Sequence, residues 1–226
     1  MKSERGDTII EVLFAVTIFC LVAVGGLSLM NQGTAMAQRS LEIGLVRAEM
    51  DSQADALRYI HNAYTAAAGQ SGSTAQTVWS EVSKKHAVTE AQDFTTMAAG
   101  GTCQMPSSTV AAVGAEDGAP YAIDVRKLDG GTRDAPVSPV VVLSQNFTTY
   151  TPETYAKINY YSDDQHRLGT AEPRGIWIQA VRVPAQTSGV LGYYDFHIRA
   201  CWYTPGQSAP MTLGTIVRLY DPGENI

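Results

Sequence analysis

The side chains with chemistry to offer in this sequence are few and scattered. Its four histidines, His61, His86, His166 and His197, lack the paired spacing of a metal site and read as solvated or hydrogen-bonded residues. Short acidic loops at Asp163-Asp164, Asp129 with Asp134, and Asp221 with Glu224 offer oxygens to a hard cation such as calcium. None has the ordered ligand series of a calcium loop, and turn formation accounts for them. There is no phosphate-cradling loop, nucleophile elbow or dinucleotide fingerprint. Catalysis, a bound metal and a cofactor are therefore not expected. What remains is one carboxylate in an unusual place and a pair of cysteines. Glu11 stands directly before an almost unbroken apolar run, residues 12–30, whose only polar side chains are Thr17 and Ser28, both able to bond back to helix carbonyls. A carboxylate at the edge of hydrocarbon needs a cationic partner, because burying it alone costs several kcal/mol. Cys20 lies inside the run as a small apolar side chain, whereas Cys103 and Cys201 lie well beyond it.

The elements that must position Glu11 follow from length and periodicity. As a helix, residues 12–30 cover about 28 Å at 1.5 Å per residue, close to the ~30 Å hydrocarbon core of a bilayer. A cleavable secretory signal is one reading, with Ala35-Met36-Ala37 as the cut site and Gln38 as the new terminus. Its apolar core is longer than such signals use, and Glu4, Asp7 and Glu11 outweigh Lys2 and Arg5. A plain signal anchor fits the length and leaves Glu11 without a purpose. No strong breaker occurs between 34 and 68. Leu41, Leu45, Ala48, Ala54, Leu57, Ile60 and Tyr64 recur at steps of three and four, with Arg39, Glu42, Arg47, Asp51, Asp55 and Arg58 elsewhere. This spacing predicts an amphipathic continuation with one buried stripe, and a single helix from about Thr8 to about Ala67.

The run Lys2-Ser3-Glu4-Arg5-Gly6, followed by Asp7-Thr8-Ile9-Ile10-Glu11-Val12-Leu13, resembles the class III leader of the type IV pilin and pseudopilin superfamily. That leader is short and charged, ends in glycine and places glutamate fifth in the mature chain. The resemblance covers the N-terminal segment alone. It implies that an inner-membrane prepilin peptidase cuts between Gly6 and Asp7 and methylates the new terminus. It implies a protein held first in the cytoplasmic membrane, single-pass with its N-terminus cytoplasmic. From there the subunit enters a pilus, or a secretion or competence pseudopilus, by contact with other pilin subunits and an inner-membrane assembly platform. Glu11 then neutralises an amino terminus, its own or a neighbour's, and sets the register of packed helices, since an axial slip leaves a charge unpaired in apolar surroundings. Two positions depart from the family pattern. Asp7 stands where major pilins carry Phe or Met, and Gly25-Gly26 lies near where a helix-loosening proline is common. Each glycine costs about 1 kcal/mol of helix propensity relative to alanine, which makes the pair a place for bending or, alternatively, for close packing through small residues. Asp7 and the large head lean toward a minor subunit.

The expected organisation is a leader at 1–6, a membrane and assembly half of the helix at 7–30, its amphipathic half at 31–68 and a head at 69–226. The fold class is α+β and type IV pilin-like, the distal half of the helix packing on an antiparallel sheet. After a Gly and Ser rich break at 69–73, a short helix is expected over 75–85 with Val78, Trp79 and Val82 inward. Strands are expected at 121–128, 140–143, 176–183, 193–203 and 213–220, the last three forming a meander. Alternation places Tyr194, Phe196, Ile198, Ala200 and Trp202 toward the helix and Asp195, His197, Arg199, Cys201 and Tyr203 away from it. Beyond a membrane, Cys103 and Cys201 are expected to form a disulfide, separately buried thiols being the alternative. The formal net charge of −6 argues against DNA as a partner. Contact with DNA is left to a local patch of Arg199 and Arg218, with Lys84-Lys85 elsewhere. Asn146-Phe147-Thr148 matches a glycosylation sequon. Two rival readings stand beside the filament subunit: a monomeric membrane-anchored or secreted binding or adhesive ectodomain, and an anchored enzyme, for which no convergent catalytic set is present.

Overall fold

The computed structural model describes residues 7–67, 72–91, 103, 105, 118–128, 140–144, 155–162, 168–185, 191–204, 207 and 209–221. Gly6, His166, Asp163-Asp164, Asp129 with Asp134, Glu224 and the sequon at 146–148 lie outside the described residues, and only the backbone of Asp7 is described. The chain divides into two compact units, Met1–Gly44 and Leu45–Ile226. Helix α1, Asp7–Ala66, runs through both; its 60 residues make it about 90 Å long, close to the bounds its periodicity predicts.

The class is α+β: a long N-terminal helix followed by an antiparallel sheet. Helix α2 spans Thr74–Val82 and the strands are β1 Ala87–Val88, β2 Tyr121–Ile123, β3 Val141–Leu143, β4 Lys157–Ser162, β5 Leu168–Arg174, β6 Ile176–Val183, β7 Gly192–Trp202 and β8 Met211–Asp221. The main sheet is ordered β3-β2-β6-β7-β8, with β1 pairing β6 in parallel, and β4 and β5 form a separate hairpin. The meander β6-β7-β8 is antiparallel throughout, with Ala180 opposite Phe196 and Phe196 opposite Val217. Tyr194, Phe196, Ile198, Ala200 and Trp202 are all buried as expected, but burial alternates along β7 only as far as Ile198, because Arg199 and Cys201 on the opposite face are buried as well.

Within the second unit the helix meets this face through aromatic packing and one polar anchor. Trp79 of α2 stacks on Tyr64 of α1 with ring centroids 5.3 Å apart, and meets His61, Tyr194 and Phe196 edge-on. Gln53, fully buried on α1, reads the backbone of β2 as a neighbouring strand would. Its Nε2 donates to the Ile123 carbonyl at 3.0 Å and its Oε1 accepts from the Ile123 N–H at 2.7 Å. A core glutamine is tolerated here because both ends of its amide are satisfied.

Several expectations are corrected. The buried stripe of α1 in this unit is Val46, Met50, Gln53, Ala54, Ala56, Leu57 and Ile60, whereas Leu45 and Ala48 are exposed; nearer the N-terminus Leu41 is exposed and Glu42 is buried. Helix α2 ends at Val82 rather than Lys85: Ser83 N–H makes the last i→i−4 bond, to the Trp79 carbonyl, and Lys85 N–H then reaches back five residues to Ser80. Its start is set by Ser73, whose side chain accepts from Gln76 N–H, after Gly72 at φ +79°. Strand β2 stops at Ile123 instead of running to Leu128. There the Asp124 carboxylate accepts from Arg126 N–H and opens a 3₁₀ turn, Val125–Lys127. The β4-β5 hairpin was not foreseen, and neither was the two-residue β1.

Candidate functional site

The candidate site is the N-terminal part of α1. The first unit consists of helix and nothing else among its described residues. Every large apolar side chain from Ile9 to Met30 is uncovered, from 46% exposed at Ile18 to 72% at Phe19. A helix that is apolar all round and has no cover of its own requires an apolar medium or other helices against it. It is the one helix among the described residues long and apolar enough to cross a membrane. Thr17 resolves its own polarity by donating to the Leu13 carbonyl at 2.7 Å. Glu11, exposed near the start of α1, shares a helix face with Phe14, Ala15 and Ile18. Gly25 and Gly26 lie in unbroken helix, and a Cβ on either would meet nothing within 4 Å. Cys20 is a free, exposed cysteine in the same run. Gly6 lies outside the described residues.

In the head, Cys103 and Cys201 form the expected disulfide, across a sequence separation of 98. Both are buried, and Cys103 N–H donates to the Tyr203 hydroxyl at 2.9 Å, so the bridge sits on the β7 face opposite the aromatic core. The remaining polar groups tie the scaffold together. Arg126 is gripped by Asp124 and donates to the carbonyls of Tyr161 and Gly169, clasping both strands of the β4-β5 hairpin while stacking over Tyr160. A Cβ at Gly169 would stand 2.5 Å from the Tyr161 carbonyl oxygen, so only glycine allows that close approach. Arg218 is bound bidentately by Asp195, both contacts 2.7 Å, and lies over the Tyr193 ring; Arg199 is buried. The two arginines thus do not offer a pair of exposed guanidinium groups. His197, half-buried between Asp195 and Arg199 along β7, has its pKa lowered, first by burial and then by the Arg199 charge.

Among the described residues no group of three His, Cys, Asp or Glu side chains converges. An open groove of about 730 Å³ lies between α1 and the 3₁₀ turn, lined by Asp51, Ser52, Asp55, Tyr59, Val125 and Leu128 among others, and brings together no acid, base and nucleophile. Comparison of the chain with protein-family models, with curated proteins and with solved structures found no match. What the residues define is a class: an α+β head carried on a helix able to cross a membrane. That architecture is compatible with a pilin-like fold.

Proposed function

We propose that this chain is a structural subunit of a type IV pilus or of a related secretion or competence pseudopilus. It is cut between Gly6 and Asp7 and assembled through its N-terminal helix. The observation that carries the reading is Glu11, one carboxylate at the head of an apolar helical surface that nothing in its own unit covers. In the bilayer that surface is solvated by lipid; in a filament, by the same surface of neighbouring subunits. Glu11 selects among axial registers in the filament, because only one places it beside a cationic amino terminus. Catalysis belongs to the partners, a prepilin peptidase and an assembly platform, and the head supplies the outward surface.

Mass and N-terminal sequence of the protein recovered from its own cells test this directly. The expected terminus is Asp7, methylated or not. A terminus at Gln38 would define a secreted soluble domain, and an intact Met1 a simple anchored ectodomain; either ends the assembly reading. Glu11→Ala should be processed normally yet fail to enter filaments. Normal filaments in that variant would show that Glu11 does not set the register.

A further inference from the structure

Strand β8 closes one edge of the main sheet, and among the described residues no strand pairs with its outer side. We propose that this edge docks a second copy of the chain, the two β8 strands pairing antiparallel so that the sheets of two heads become continuous. The inference does not depend on the filament reading.

Edge strands in soluble domains are ordinarily blunted by shortness, a bulge, proline or an unpaired lysine. Strand β8 has none of these. It spans Met211–Asp221 without proline or lysine and keeps unbroken register with β7 from Trp202 opposite Met211 to Gly192 opposite Asp221. At about 3.3 Å per residue the edge is about 35 Å long. Every second residue turns its N–H and C=O away from β7. Among the described residues one end is closed: His61 Nε2 donates to the Tyr220 carbonyl at 2.8 Å, and Tyr64 O–H donates to Asp221.

Charge favours a second copy as the occupant. The chain carries a net −6, so two copies repel over most of their surface. Strand β8 is formally neutral, and its two charges are already engaged, Arg218 by Asp195 and Asp221 by Tyr64. It is a place where like molecules meet without opposing charges. Its solvent face is also self-complementary. Pairing about Ile216 sets Ile216 against its own copy and Gly214 against Arg218, and stops short of Tyr220, whose carbonyl is held by His61. Ile216, now 59% exposed, would be covered, and Arg218 would not face Arg218. A two-fold, isologous contact of this kind uses the same residues from both partners and closes on itself.

The test uses the full-length chain with Cys20→Ala, in detergent micelles. Sedimentation should give a dimer. Ile216→Cys should form a dimer-linking disulfide under mild oxidation, while Leu143→Cys, exposed on the opposite edge strand, should not. Ile216→Lys, which opposes two like charges, should raise the dimer dissociation constant by about tenfold or more, with an unchanged melting temperature at concentrations where both proteins are monomeric. A monomer at every concentration overturns the proposal. So does a dimer indifferent to Ile216→Lys, which would assign association to α1, and so does linkage at Leu143→Cys in place of Ile216→Cys.

Discussion

At the scale of single residues, the head is governed by polar groups that sequence patterns rank low. Gln53 carries no signal of burial in the sequence, because glutamine on an amphipathic helix ordinarily marks the wet side. Leu41, Leu45 and Ala48 form one apolar row and Val46, Met50 and Leu57 another, and periodicity alone does not say which row meets the sheet. The choice is marked by Gln53, the one polar side chain in the second row, whose amide satisfies the buried backbone N–H and C=O of Ile123. Gln53→Ala should therefore destabilise the fold by about 2–3 kcal/mol, since it strands a buried donor and acceptor together. Gln53→Leu, which restores volume but not hydrogen bonds, should recover only part of that loss. Urea unfolding of the three proteins decides it; equal stabilities would show that Ile123 finds another partner. His197 gives a second prediction. Its folded pKa is below the unfolded value, so between the two the unfolded chain binds more protons, and stability rises with pH. The contribution is complete above about pH 6.5, the unfolded value, and is lost as pH falls toward the lowered folded one. Melting temperatures across pH 5–7.5 should show that slope, and His197→Gln should flatten it. A slope identical in the variant would place the titration elsewhere.

At the scale of elements, legibility followed the length of each pattern. Helix α1 and strands β6, β7 and β8 were bounded to within about two residues because long alternations leave few alternatives. The β4-β5 hairpin was invisible. It contains Gly169 and Pro173, alternates poorly and is held from outside by Arg126, a tertiary clasp that no local pattern carries. Strand β2 was overextended for a related reason: Val125 looks like strand, but Asp124 turns the backbone by capping it. The Gly25-Gly26 pair belongs at this scale too. A Cβ at either meets open space within the chain, so replacing both with alanine should stiffen the helix by roughly 2 kcal/mol in total. Amide exchange in micelles should slow over residues 22–29. If filaments are lost while exchange slows, the pair serves close contact between subunits; unchanged exchange would refute the stiffening.

At the scale of the whole molecule, the chain combines two solutions to burial. The head covers its own core, sealing Trp79, Trp177 and Trp202 to 1% exposure, whereas the large apolar side chains from Ile9 to Met30 in the first unit have no cover of their own. The composition announced the second solution in the apolar run and the first only in outline. The disulfide shows how these parts are ordered in time. Cys103 precedes Cys201 by 98 residues, so at synthesis rates of about 5–20 residues per second it waits some 5–20 s for its partner. The strands that bury the helix stripe are also made last. For that interval the newborn chain carries the Cys103 thiol unpaired and a core still lacking the strands that cover it.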